Sequence, residues 1–140
     1  MTYILSSIRI ADQVYLDGVL WPTLHYQSEV VFDNETWEAY QRVNEIFADR
    51  ISEEAADGDA IWVHDYHLLL LPGLLRERLD AQNKQCPIGF FLHTPFPADD
   101  FWRGLPFQRE LLGGVLGSDL VGFHTDEYKA NFASACGAHL

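Results

Sequence analysis

Three apolar runs in this chain each close on a histidine: Ile61-Trp62-Val63 on His64, Ile88-Gly89-Phe90-Phe91-Leu92 on His93, and Leu120-Val121-Gly122-Phe123 on His124. Short runs rich in β-branched and aromatic residues read as buried strands. A helical pattern follows each one. Strand, helix, strand, helix, strand, helix is the grammar of parallel βαβ units with right-handed crossovers, half of a Rossmann-like layer. In such a sheet the C-terminal strand tips line up along one edge, and ligands of open α/β sheets bind there. His64, His93 and His124 therefore fall on one edge, with Asp65 beside His64.

The remaining chain fits around these strands. Residues 1–14 carry no chemistry and stay unassigned; Tyr3, Ile4, Leu5 and Ile8 allow a short strand or helix. Val19-Leu20-Trp21-Pro22 reads as extended, because proline disfavours helix at the residue before it, and Leu24-His25-Tyr26 continues the segment. Asn34 is expected to cap a helix that runs to about Glu53–Ala56, with Trp37, Tyr40, Val43 or Asn44, Phe47 and Ile51 on its core face. Leu68 to Leu79 is helical, with Pro72 either kinking it or starting a second segment; Arg76, Glu77 and Arg78 face solvent. Strands are expected over Cys86–His93 and Asp119–His124. Short helices open at Asp99 and Pro106, and Thr125-Asp126-Glu127 caps the last one. Gly113, Gly114 and Gly117 look like packing or termination positions.

Charge and motif arithmetic narrow the chemistry. Nine Lys and Arg stand against 21 Asp and Glu, a formal net charge of −12 at pH 7. That balance makes nucleic acid and anionic membrane surfaces poor partners, since phosphate binding needs clustered cations. No stretch approaches the length of a membrane span, and the N-terminus lacks a signal-peptide pattern; the expected compartment is the cytoplasm. Cys86 and Cys136 form no metal-type pair and read as reduced, buried thiols. His64, His67, His93, His124 and Asp65 raise the question of a zinc or iron site, but a His-x-x-His across a strand end is not the one-face spacing such a site uses. Neither a Gly-x-Gly-x-x-Gly turn nor a Gly-x-Ser-x-Gly elbow is present. What remains is polar recognition. Asp65 suits vicinal hydroxyls, His93 a sugar hydroxyl or a developing negative charge, and Trp21, His25 and Tyr26 a stacking wall for a sugar ring.

These residues fall into four motifs: Leu20-Trp21-Pro22 with His25-Tyr26, Trp62-Val63-His64-Asp65-Tyr66-His67-Leu68, Gly89-Phe90-Phe91-Leu92-His93-Thr94-Pro95-Phe96-Pro97, and Asp119-Leu120-Val121-Gly122-Phe123-His124-Thr125. In order and spacing they resemble the trehalose-6-phosphate synthase family, UDP-forming glycosyltransferases of family 20, from about Gly18 to the C-terminus. The resemblance implies a GT-B fold of two Rossmann-like domains around a cleft. Residues 15–140 would then be part of the N-terminal, acceptor-side domain, and the nucleotide-sugar domain is not in this chain. It implies retaining transfer from UDP-glucose, a donor substrate rather than a cofactor, to glucose 6-phosphate. Trp21, Asp65 and His93 would line the acceptor site, with Asp65 and His93 the catalytic pair and no metal or other cofactor. The mechanism implied is front-face, the departing phosphate of UDP helping to deprotonate the acceptor.

One stretch departs from the family. Its Tyr-Tyr pair and Asn-Gly-Phe-Ser-Asn-like run are replaced by Asp12-Gln13-Val14-Tyr15-Leu16-Asp17-Gly18, and counted without gaps the acceptor-contacting tyrosine falls on Asp12. With the donor pocket missing, the chain alone is expected to be inactive and prone to self-association or to association with other trehalose-synthesis subunits. The alternatives are a non-catalytic, subunit-like relative and a sibling glycosyltransferase with another phosphorylated acceptor.

Overall fold

A computed structural model describes residues 14–26 and 33–140. The expectations for residues 1–13, Asp12 included, lie outside the described residues. A π-helical stretch, Leu16–Leu20, runs directly into the short helix α1, Trp21–Leu24. Then follow α2 (Asn34–Glu54), β1 (Ile61–His64), a 3₁₀ turn (Tyr66–Leu68), α3 (Leu71–Ala81), β2 (Ile88–Phe91), α4 (Asp99–Trp102), α5 (Gln108–Val115), β3 (Leu120–Gly122) and α6 (Asp126–His139). The strands form one parallel sheet in the order β1-β2-β3. The fold is the expected partial Rossmann-like layer.

The pleat sorts side chains to two faces, and register partners across parallel strands share a face. Val63, Phe90 and Val121 stand in register, as do Ile61 and Ile88. With Leu92 they point into a core built from Leu71, Leu75 and Leu79 of α3, Leu111, Leu112 and Val115 of α5, and Phe132 of α6. The other face carries two rows, Trp62-Gly89-Leu120 and His64-Phe91-Gly122. Trp62 is 56% exposed and Leu120 60%. The two glycines are floors for neighbouring rings. A Cβ on Gly89 would sit 3.0 Å from Trp62, and one on Gly122 would sit 2.6 Å from the Phe91 ring.

Close backbone approach brings α3 against α5. A Cβ on Gly114 would lie 2.5 Å from the Leu69 carbonyl oxygen, and one on Gly117 would overlap Gly73. Those two glycines are packing positions, as the sequence suggested; Gly113 faces open space. The α2 face is buried as its period predicts, through Trp37, Tyr40, Val43 and Asn44.

Several local expectations are corrected. The segment Val19–Tyr26 is helical, not extended, up to Leu24. Its π-helical turn, with Trp21 N–H donating to Leu16 O five residues back, widens the helix just before Pro22. That relieves the clash a proline ring makes with the preceding turn, and Pro22 has no N–H to satisfy. Tyr15, Leu16, Val19, Leu20 and Leu24 are buried along one side of this stretch. The α2 N-cap is Asp33, whose carboxylate accepts from Glu35 N–H, rather than Asn34. Pro72 opens the second helical segment, α3. Pro106 lies ahead of α5, which begins at Gln108 behind a left-handed Phe107 (φ 58°) stacked on Trp37. Arg76 and Arg78 are half-buried and paired with Asp119 and Asp49 rather than facing solvent alone. Cys86 is buried and Cys136 half-buried, both free, and burial pushes the Cys136 thiol above its usual pKa.

Candidate functional site

The site is the C-terminal edge of the sheet. His64 is the last residue of β1, His93 follows β2 by two residues, and His124 follows β3 by two. Period-two alternation puts Phe91 with His93, and Gly122 with His124, on the open face. There His64 Nδ1 lies 3.0 Å from His93 Nε2. The His93 ring centroid is 4.7 Å from Phe91 and 5.6 Å from His124. The sequence placed these three histidines together, and the structure does so. His67, the fourth candidate, instead packs its ring on Tyr66 at 4.2 Å. Among the described residues no group of three or more His, Cys, Asp or Glu side chains is arranged to hold a metal ion. His64 Nδ1 and His93 Nε2 face each other and spend their pairing capacity on one another, leaving one nitrogen of each ring outside the contact.

Asp65 turns the chain out of β1. Its backbone has φ 70° and ψ 169°, a conformation almost confined to glycine. Three hydrogen bonds hold it there. Asp65 N–H donates to Phe91 O at 2.8 Å, Leu68 N–H donates to Asp65 O at 3.1 Å, and Tyr66 N–H donates to Asp65 Oδ1 at 3.0 Å. Oδ1 is thus anchored, and the half-buried carboxylate keeps capacity for further donors. The turn is braced from behind by α2. The Tyr40 hydroxyl donates to Tyr66 O (2.9 Å) and accepts from Leu69 N–H (3.0 Å), while Asn44 Nδ2 donates to His67 O (3.2 Å). Their helical spacing alone assigns Tyr40 and Asn44 to the core face. The signal was a hydroxyl and an amide on an otherwise apolar stripe, groups that need partners when buried.

Trp21 reaches the same surface from α1. It is 42% exposed, with its ring centroid 5.8 Å from that of Tyr66, the neighbour of Asp65. His25 stacks on one face of the indole at 3.8 Å and 27°, and its Nδ1 is 2.9 Å from Trp21 O. The helical i, i+4 spacing that creates this stack was hidden by reading the segment as extended. Tyr26 packs edge-on against Phe101 instead. Burial raises the pKa of the Tyr66 hydroxyl above its usual range, as do the negative charges of Asp65 and Asp17. The described edge is therefore aromatic, histidine-rich and acidic.

An aromatic plate, an anchored carboxylate and imidazoles along one sheet edge suit a polyhydroxylated ring. The family model for glycosyltransferase family 20 matches residues 4–140. The chain belongs to that family. It is 50% identical over 132 residues to an alpha,alpha-trehalose-phosphate synthase [UDP-forming] of Aspergillus fumigatus, covering 91% of this chain and 26% of that protein. To a second A. fumigatus synthase it is 52% identical over 137 residues, covering 94% and 28%. Among solved structures it resembles a UDP-forming trehalose-phosphate synthase of Burkholderia vietnamiensis (TM-score 0.84, 37% identity, 92% of this chain, 29% of that one). It also resembles the N-terminal domain of trehalose-6-phosphate phosphatase from Candida albicans (TM-score 0.85, 39% identity, 91% and 27%). The family 20 chain thus spans about a quarter of the length of the curated relatives it matches. No helix among its described residues is long and apolar enough to cross a membrane.

Proposed function

We propose that this chain is the acceptor-side part of an enzyme that transfers glucose from UDP-glucose to glucose 6-phosphate with retention, yielding trehalose 6-phosphate and UDP. The observation that carries the reading is the continuity of Trp21, Tyr66, Asp65, His64 and His93 along one edge. In it the open face of Trp21 stacks on the C–H side of the acceptor ring. The free lone pairs of Asp65 accept from ring hydroxyls, and His93 faces the sugar being transferred. The bond from the anomeric carbon to the UDP oxygen breaks as the acceptor oxygen bonds on the same face. The acceptor proton passes to the departing phosphate. UDP-glucose is a substrate here, and the two Aspergillus fumigatus relatives named above are UDP-forming synthases.

Residues 15–140 supply one wall of the cleft, and catalysis by this route depends on holding donor and acceptor together. The chain alone is therefore proposed to bind acceptor weakly and to release no UDP. It is also proposed to associate through its open sheet face, where Trp62 and Leu120 are bare. The test is two-part. Glucose 6-phosphate at millimolar concentration should perturb the Trp21 indole and Asp65 amide resonances in wild type and not in Asp65→Ala, and a UDP-release assay should stay at background. Perturbation that ignores Asp65, or turnover by the chain alone, would overturn the reading. A second, subunit-like reading is favoured by one observation: the fold resembles part of the N-terminal domain of a protein named as the phosphatase. Under it, Asp65→Ala has no effect on glucose 6-phosphate because none binds.

A further inference from the structure

His64 and His93 meet nitrogen to nitrogen, Nδ1 to Nε2, at 3.0 Å. A bond of that kind needs one nitrogen to carry a proton and the other a lone pair, so the two rings cannot choose tautomers independently. If His93 Nε2–H donates, His64 Nδ1 is bare and its proton sits on Nε2. If the bond runs the other way, both rings must carry their protons on Nδ1. The first arrangement places both rings in the Nε2–H tautomer that neutral histidine side chains prefer, and the second forces both out of it. We propose that His64 is a positioning residue: its Nδ1 accepts from His93 Nε2–H, fixes the tautomer and plane of that ring, and leaves His93 Nδ1 as a lone-pair acceptor for a sugar hydroxyl.

The surroundings fit this role. His93 is flanked by Phe91 at 4.7 Å and His124 at 5.6 Å, ring contacts that limit its tilt without setting its proton. Among the described residues the Nδ1–Nε2 bond to His64 is the hydrogen bond that does so. It is also the one side-chain link between the tips of β1 and β2 on this face, complementing the backbone bond from Asp65 N–H to Phe91 O. Replacing His64 would leave the fold's core intact, because its side chain is exposed. The ring of His93 would then turn and its proton redistribute. The inference rests on His93 facing substrate, but the rings can be read without substrate.

The experiment uses the whole chain labelled with ¹⁵N in mildly alkaline solution. Long-range ¹H–¹⁵N correlation spectra report each ring nitrogen as protonated or bare. In wild type His93 should show a wholly protonated Nε2 and a wholly bare Nδ1, with His64 matching it. His64→Phe should move both His93 nitrogens toward the averaged shifts of a free imidazole. His64→Asn, which keeps a carbonyl oxygen near the Nδ1 position, should restore them. Resonances of α6, remote from the edge, serve as the folding control. An averaged His93 in wild type, a bare His93 Nε2, or a His93 spectrum indifferent to His64→Phe would each overturn the proposal. Glucose 6-phosphate binding that fails while the wild-type ring pattern holds would overturn the functional reading and leave the pairing standing.

Discussion

Replacing Asp65 by glycine should cost the fold less than replacing it by alanine, the reverse of the usual order. At φ 70° and ψ 169°, Asp65 sits where a Cβ is disfavoured, and such residues store about 1–3 kcal/mol. Asp65→Gly releases that strain, roughly 2 kcal/mol at the middle of the range. Against this, it loses the half-buried Oδ1 bond from Tyr66 N–H, about 1 kcal/mol, and adds about 0.5–1 kcal/mol of unfolded-state freedom. The terms nearly cancel, so the glycine variant should match wild type to within about 1 kcal/mol. Alanine loses the same bond and keeps the Cβ, and should fall about 1 kcal/mol below wild type. Urea unfolding followed by tryptophan fluorescence should give the glycine variant the higher midpoint at equal slope. For a chain of this size the melting temperatures should differ by roughly 3–4 °C. Both variants lack the carboxylate, so glucose 6-phosphate should bind neither. An alanine variant as stable as the glycine one would show that the turn relaxes at no cost and that the strain argument is wrong.

Tyr40→Phe removes the hydroxyl that serves Tyr66 O and Leu69 N–H. Two buried main-chain groups would be orphaned, and the urea midpoint should report a loss of about 2–3 kcal/mol; a loss under about 0.5 kcal/mol would mean water replaces the hydroxyl. Gly122→Ala puts a Cβ 2.6 Å from Phe91 and should cost about 1–3 kcal/mol, while Gly113→Ala, with open space in a helix, should gain about 0.5–1 kcal/mol. Equal effects at both positions would contradict the packing. The N–H of Ile88, and then Arg76, hold the Asp119 carboxyl below its usual pKa. Its folded pKa being depressed, the stabilisation is complete above the unfolded-chain value near 3.9 and is lost as pH falls through the folded one. Asp119→Asn should flatten that acid limb in unfolding measured from pH 6 to 2.

The sheet and its edge were legible because their signals are local and repeated. Apolar runs ended by histidines gave strand direction and tip together, and His64, His93 and His124 met as expected. The segment around Trp21 was not, because Pro22, which disfavours helix at the residue before it, masks the helical period there. Tyr15, Leu16, Val19, Leu20 and Leu24 carry a helical period, and a π turn reconciles that period with Pro22. Asp65 marked the site as a residue type, but its left-handed backbone is held in part by a tertiary bond to Phe91 that no local pattern encodes. The pairing of Arg76 with Asp119 is long-range in the same way.

Charge divides the labour of the proposed reaction. The described edge offers rings, imidazoles and a carboxylate, which orient hydroxyls and stack on a sugar face. None of these groups is a lysine or arginine. Among the described residues Arg50 is paired with Glu54, Arg76 with Asp119, Arg78 with Asp49, Arg103 with Asp99 and Asp100, and Lys129 with Asp126, and Lys84 donates to Ser52 O, while Arg42 and Arg109 are exposed. Asp17 adds a negative field at Tyr66. A phosphorylated acceptor and a departing UDP both require positive charge or oriented N–H dipoles, and pairing in a low-dielectric cleft makes that requirement strict. On the proposed function, therefore, this wall sets which hydroxyls face the reacting carbon. The charge that draws in the phosphates and stabilises the leaving group has to be presented to this edge by groups other than the rings, imidazoles and carboxylate that line it. The one-sided sheet follows the same logic. Its core face is closed with Val63, Phe90 and Leu92, and its other face leaves Trp62 and Leu120 exposed.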